Sequence, residues 1–94
     1  MDKIFANSFS KELKRIRLRQ SCSQIEFCNR LGIPSGTYSA WETGRFLPSV
    51  KSLTELCEQL HYIKVPDFDI RTLKCTYYDL KVGRNEHRQN DKSS

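Results

Sequence analysis

SQIEFCNRLGIPSGTYSAWETGR, residues 23–45, is the stretch whose reading decides the fold. Apolar residues stand at Ile25, Phe27, Leu31, Ile33, Tyr38 and Trp41, Gly32 falls among them, and polar residues fill the gaps. This spacing predicts two short amphipathic helices joined by a tight turn. Ser23 and Glu26 have the separation of a capping box and open the first of the pair. Phe27 and Leu31 then share one face, with Ile25 beside them. Cys28 falls where two crossing helices come closest, a place that suits a small side chain. Gly32 can adopt the left-handed conformation that closes a helix. Pro34 belongs in or just before a first turn, so the second helix of the pair starts at Pro34 or Ser35. Tyr38 and Trp41 face inward, which leaves Ser35, Gly36, Thr37, Ser39, Ala40 and Thr43 on the outer side until Gly44 stops the helix.

The flanking segments supply partners for this pair. In FSKELKRIRLRQ, residues 9–20, Phe9, Leu13 and Ile16 fall on one helical face. Ser8 or Ser10 is placed to cap that helix, and Glu12 suits its positive first turn. Lys11, Lys14, Arg15 and Arg19 make the opposite face basic. After the connector 45–48, Ser49 caps a further helix whose Val50, Leu53, Leu56, Cys57 and Leu60 form an apolar stripe. Beyond Tyr62 two readings stand. Ile70, Leu73, Tyr77 and Leu80 repeat as in a fifth helix from Asp69 to Leu80, with Asp69 as cap. Ile63, Val65, Phe68 and Ile70 alternate as in a short strand pair used for dimerisation. The expected organisation is an arm over 1–8, a helical domain over 9–62, an extension over 63–81 and a disordered polar tail over 82–94.

Ninety-four residues make one domain with a modest core. The net charge of +5 is unevenly placed: residues 1–54 hold nine Lys or Arg against four Asp or Glu, and residues 55–94 hold seven of each. A basic half of this kind favours an anionic partner such as nucleic acid. No apolar run approaches the roughly 18 residues that span a membrane, and the N-terminus lacks the apolar centre of a secretory signal. A location inside the cell is expected. Cys22, Cys28, Cys57 and Cys75 form no Cys-x-x-Cys pair, and His61 and His87 complete no ligand pattern, so neither metal nor cofactor is expected. Enzymatic chemistry is not expected either, because no acid, base and nucleophile fall together and there is no phosphate-binding glycine loop.

The ordered set Leu13-x-x-Ile16-Arg17, Ser23-Gln24-x-x-Phe27-Cys28, Leu31-Gly32-Ile33, Thr37 to Arg45 and Leu47-Pro48-Ser49 resembles the lambda-repressor-like, or Xre/Cro-type, helix-turn-helix regulators. The resemblance runs from Leu13 to about Leu60. It implies an all-α, compact domain of four to five helices in which helix 2 crosses the DNA backbone and helix 3 lies in the major groove. Carried over by position, it implies phosphate contacts from Gln24, Thr43, Arg45, Lys51 and Arg19, and base reading by Ser35, Gly36, Thr37, Ser39 and Ala40. Arg17 and Glu42 match positions of an internal ion pair. The family often has Gln, Arg or Lys among the readers, and this chain has none. Its small residues would read bases through hydroxyls, methyl contacts, bridging water and DNA shape. The function implied is a sequence-specific double-stranded DNA-binding regulator, a repressor acting as a homodimer on a palindromic operator. The setting implied is cytoplasmic, prokaryotic or phage-encoded. A protein-interaction module on the same scaffold, antitoxin-like or adaptor-like, is the alternative.

Overall fold

The computed structural model describes residues 6–92, with side chains described through Val82. It contains α1 (Ser8–Arg19), α2 (Gln24–Leu31), α3 (Ser35–Thr43), α4 (Val50–Tyr62) and α5 (Asp67–Lys92), and no strand among the described residues. The architecture is all-α, as expected, and the strand-pair reading of the extension falls. Ile63 and Lys64 form the turn that ends α4, with Lys64 at φ +69°, and Val65 N–H returns to Leu60 O at 2.9 Å. That closure consumes the backbone groups a strand would have needed.

The helix starts follow local hydrogen-bonding chemistry. In α1 the cap is Asn7, not Ser8 or Ser10: its Oδ1 accepts from Ser10 N–H at 2.7 Å, and Ser10 Oγ accepts from Asn7 N–H at 2.7 Å. Glu12 lies beyond the first turn and binds Arg15 instead. Ser23 and Glu26 close their capping box at 3.1 and 2.9 Å. Gly32, at φ +69°, ends α2 with Ile33 N–H bonded to Cys28 O at 3.0 Å, which turns the chain sharply into α3. Ser49 caps α4 through Ser52 N–H.

α5 starts at Asp67, two residues before the expected Asp69. Asp69 is no cap. It is buried in the first turn and accepts from Arg15 Nη2 at 3.1 Å. The helix continues past Leu80 to Lys92, through the segment expected as a polar tail. Residues 1–5, 93 and 94 and the side chains of 83–92 lie outside the described residues, and most of the expected arm falls there.

One core joins all five helices, with Phe9, Leu13, Ile16, Phe27, Tyr38, Leu53, Leu56, Leu60, Leu73 and Tyr77 buried. Phe27 meets Tyr38 edge-on at 5.8 Å, linking α2 to α3. Phe9 meets Tyr77 at 5.7 Å, linking α1 to α5, and the Tyr77 hydroxyl donates to Pro48 O at 2.7 Å. Two expected members of apolar faces are outside this core. Ile25 is 64% and Val50 54% exposed, because each sits in a first turn that overhangs the packed face.

Candidate nucleic-acid interface

α3 is only nine residues long, and its inner side is used for packing. Tyr38, Trp41 and Glu42 are buried, while Ser35, Gly36 and Thr37 are exposed and Ser39, Ala40 and Thr43 half-buried. The five expected readers therefore share the side of α3 away from the core. Pro34 precedes the helix and contributes no side-chain cap. Tyr38 N–H returns to Pro34 O, so the amides of Ser35, Gly36 and Thr37 are the unsatisfied donors of the helix start. A methyl added at Gly36 would meet nothing within 4 Å, so packing does not require glycine there.

Beside the end of α3 the loop folds back on itself, with Arg45 N–H donating to Ala40 O at 2.9 Å. Arg45 is exposed, and Lys51 is exposed in the first turn of α4. Thr43 Oγ1 donates to Ala40 O at 3.3 Å. Arg19 has a different setting. It stands at the end of α1 with Nη1 4.0 Å from Asp69, so it and Arg15 turn toward α5, although the Arg19 side chain stays largely exposed.

Glu42 organises the layer beneath. Its carboxylate accepts from Arg17 Nε at 2.8 Å and Nη2 at 3.1 Å, from the Tyr38 hydroxyl at 2.6 Å and from Gln24 Nε2 at 2.6 Å. Arg17 Nη1 also donates to Cys22 O at 2.8 Å. Burial alone would raise the Glu42 carboxyl, but hydrogen bonds from Arg17, Tyr38 and Gln24 outweigh it and hold the group below the ordinary carboxylate range. Burial, reinforced by the neighbouring carboxylate, pushes the Tyr38 phenol up and keeps it a donor. The hydrogen bond to Glu42 raises Arg17 in turn. This set ties α1, the start of α2 and α3 together under the outer face.

Sequence reasoning missed two members of the network. Tyr38 was read as a core aromatic, although its four-residue separation from Glu42 places both on one helical face. Gln24 was read as a phosphate ligand alone, whereas an ionised carboxylate only accepts, so its Nε2 must face Glu42. One amide hydrogen remains. The capping box leaves only the Gln24 and Ile25 amides open at the start of α2 and sets the Glu26 carboxylate beside them.

Three of the four cysteines, Cys22, Cys28 and Cys57, are buried, and burial pushes the Cys28 and Cys57 thiols up, as for small core residues. Among the described residues no three ligand-type side chains cluster to hold a metal, and no helix is long and apolar enough to cross a membrane.

Two short helices joined at a left-handed glycine, the second offering a small polar face beside exposed basic residues, define a helix-turn-helix DNA-binding domain. The helix-turn-helix family model matches residues 13–68, more than half of the chain, and the protein belongs to that family, the Xre and lambda-repressor-like regulators. No curated protein and no solved structure matches the chain.

Proposed function

We propose that this DNA-binding regulator is a repressor that recognises a two-fold symmetric operator as a homodimer, with α3 in the major groove. The observation that carries the reading is the outer side of α3, where an uncapped helix start and five small residues project with no long side chain to hold a partner at a distance. A face of this kind permits close approach to base edges. Ser35, Thr37 and Ser39 would bond through hydroxyls, and Ala40 and the Thr37 methyl would meet thymine methyls. Arg45, Lys51, Thr43 and the remaining Gln24 amide hydrogen would grip phosphates at either side. Arg19, drawn toward Asp69, would make the weakest of these contacts.

Duplex binding measured against salt tests this proposal. Affinity should fall as salt rises with a slope reflecting several phosphate contacts, and Arg45→Ala should reduce that slope by about one. The absence of long polar readers on α3 is the one observation that favours a protein partner instead. Failure to retain any duplex at about 50 mM salt would decide for that alternative.

A further inference from the structure

α4 and α5 leave between them a groove of about 650 Å³, a size typical of small-molecule sites. Its apolar lining comes from Leu53, Cys57 and Ile70, all buried members of the core, and from Tyr78, which is 46% exposed. The α5 side also carries Arg71 and Lys74, both exposed. Burial pushes the Cys57 thiol up and the Lys74 ammonium counters part of that effect, so the lysine charge is felt at the apolar lining.

The charges indicate what such a groove suits. Arg71 and Lys74 stand three residues apart on one side of a helix, where like charges repel. Neither pairs with an acid among the described residues: Asp67 lies 3.5 Å from His61, and Asp69 is held by Arg15 with Arg19 nearby. An anion seated between the two cations relieves their repulsion, and the planar fork of Arg71 matches a carboxylate in two parallel hydrogen bonds. Glu58 on the α4 side and Asp67 on the α5 side also line the groove, and both repel a more highly charged head such as a phosphate ester. A DNA backbone would meet the same two carboxylates. The apolar lining, in turn, is covered only by an anion that carries an apolar body.

We propose that this groove binds a small organic monoanion, a carboxylate with an aromatic or branched apolar body, its head on Arg71 and Lys74 and its body on Leu53, Cys57, Ile70 and Tyr78. None of these residues belongs to α3, so the site is distinct from the outer face of that helix and goes beyond the DNA-binding reading. Phenylbutyrate, titrated into the full chain and followed by amide NMR, tests the proposal. Saturable shifts should fall on the α4 and α5 residues of the groove, with Kd on the order of 1 mM, as expected for a ligand of this size. Neutral phenylbutyramide has the same shape and should bind at least about five-fold more weakly, because it forfeits the charge-assisted bonds. Arg71→Gln combined with Lys74→Gln should erase that preference for the acid. Both positions are exposed, so the amide spectrum away from the groove should stay unchanged in the double variant. No saturable shift up to about 10 mM, or shifts centred outside α4 and α5, overturns the site. Equal binding of acid and amide, or a preference for the acid that survives the double substitution, overturns the assignment of Arg71 and Lys74.

Discussion

Four hydrogen bonds converge on the Glu42 carboxylate, and two of the residues that make them were legible in sequence only as something else. The Arg17–Glu42 pairing came from family position. The Tyr38 and Gln24 bonds depend on how α1, α2 and α3 meet, which no local spacing encodes. Because the folded carboxyl sits below its ordinary value, its contribution to stability is fully present above about pH 4.3 and is lost as pH falls through the folded value. Acid unfolding followed by circular dichroism should accordingly lose part of its pH dependence below about pH 4.3 in Glu42→Gln. Tyr38→Phe, which withdraws one donor from a buried charge, should cost roughly 1.5–3 kcal/mol in denaturant unfolding. Gly36 supplies a test of opposite sign. Glycine within a helix is less stable than alanine, and a methyl there meets nothing, so Gly36→Ala should stabilise the fold by about 0.5–1 kcal/mol. The same change should weaken duplex binding if α3 lies against the groove, and a variant that is more stable and binds equally well would remove Gly36 from the reading face.

At the scale of elements, the pair α2 and α3 was readable almost to the residue. Its boundaries are set by local chemistry: the Ser23–Glu26 box, the left-handed Gly32 and Gly44, and Pro34 at the start of α3. α5 was less legible. Its residues carry an inward helical stripe and a partial strand-like alternation at once, and only contact with α1 decides between them. The deciding groups include Asp69, buried against Arg15, and Tyr77, edge-on to Phe9. The same contact draws Arg19 toward Asp69. The division of labour on the interface makes a further prediction. Arg45→Ala should weaken binding to all sequences alike, whereas Ser35 and Ala40 substitutions should change which sequence is preferred. Parallel weakening in both classes, read by competition among duplexes, would show that α3 is not the reader.

For the whole molecule, the positive charge excess falls in residues 1–54, the part that holds α2 and α3. Trp41 anchors this part. Buried beneath the outer face of α3, it should cost roughly 3–5 kcal/mol when changed to alanine, measured by thermal or denaturant unfolding. The charge asymmetry was plain in sequence, but the exposed Phe68, Tyr78 and Val82 of α5 were hidden there, because they separate from the core stripe of that helix only when burial is known. The central claim, that the small-residue face of α3 reads duplex sequence, is tested most directly by selecting bound duplexes from a random pool with the full chain. Enrichment of one site with two-fold symmetry is expected, its half-sites about one helical turn apart, with a changed half-site in Ser35 or Ala40 variants. Recovery of no enriched sequence would contradict it.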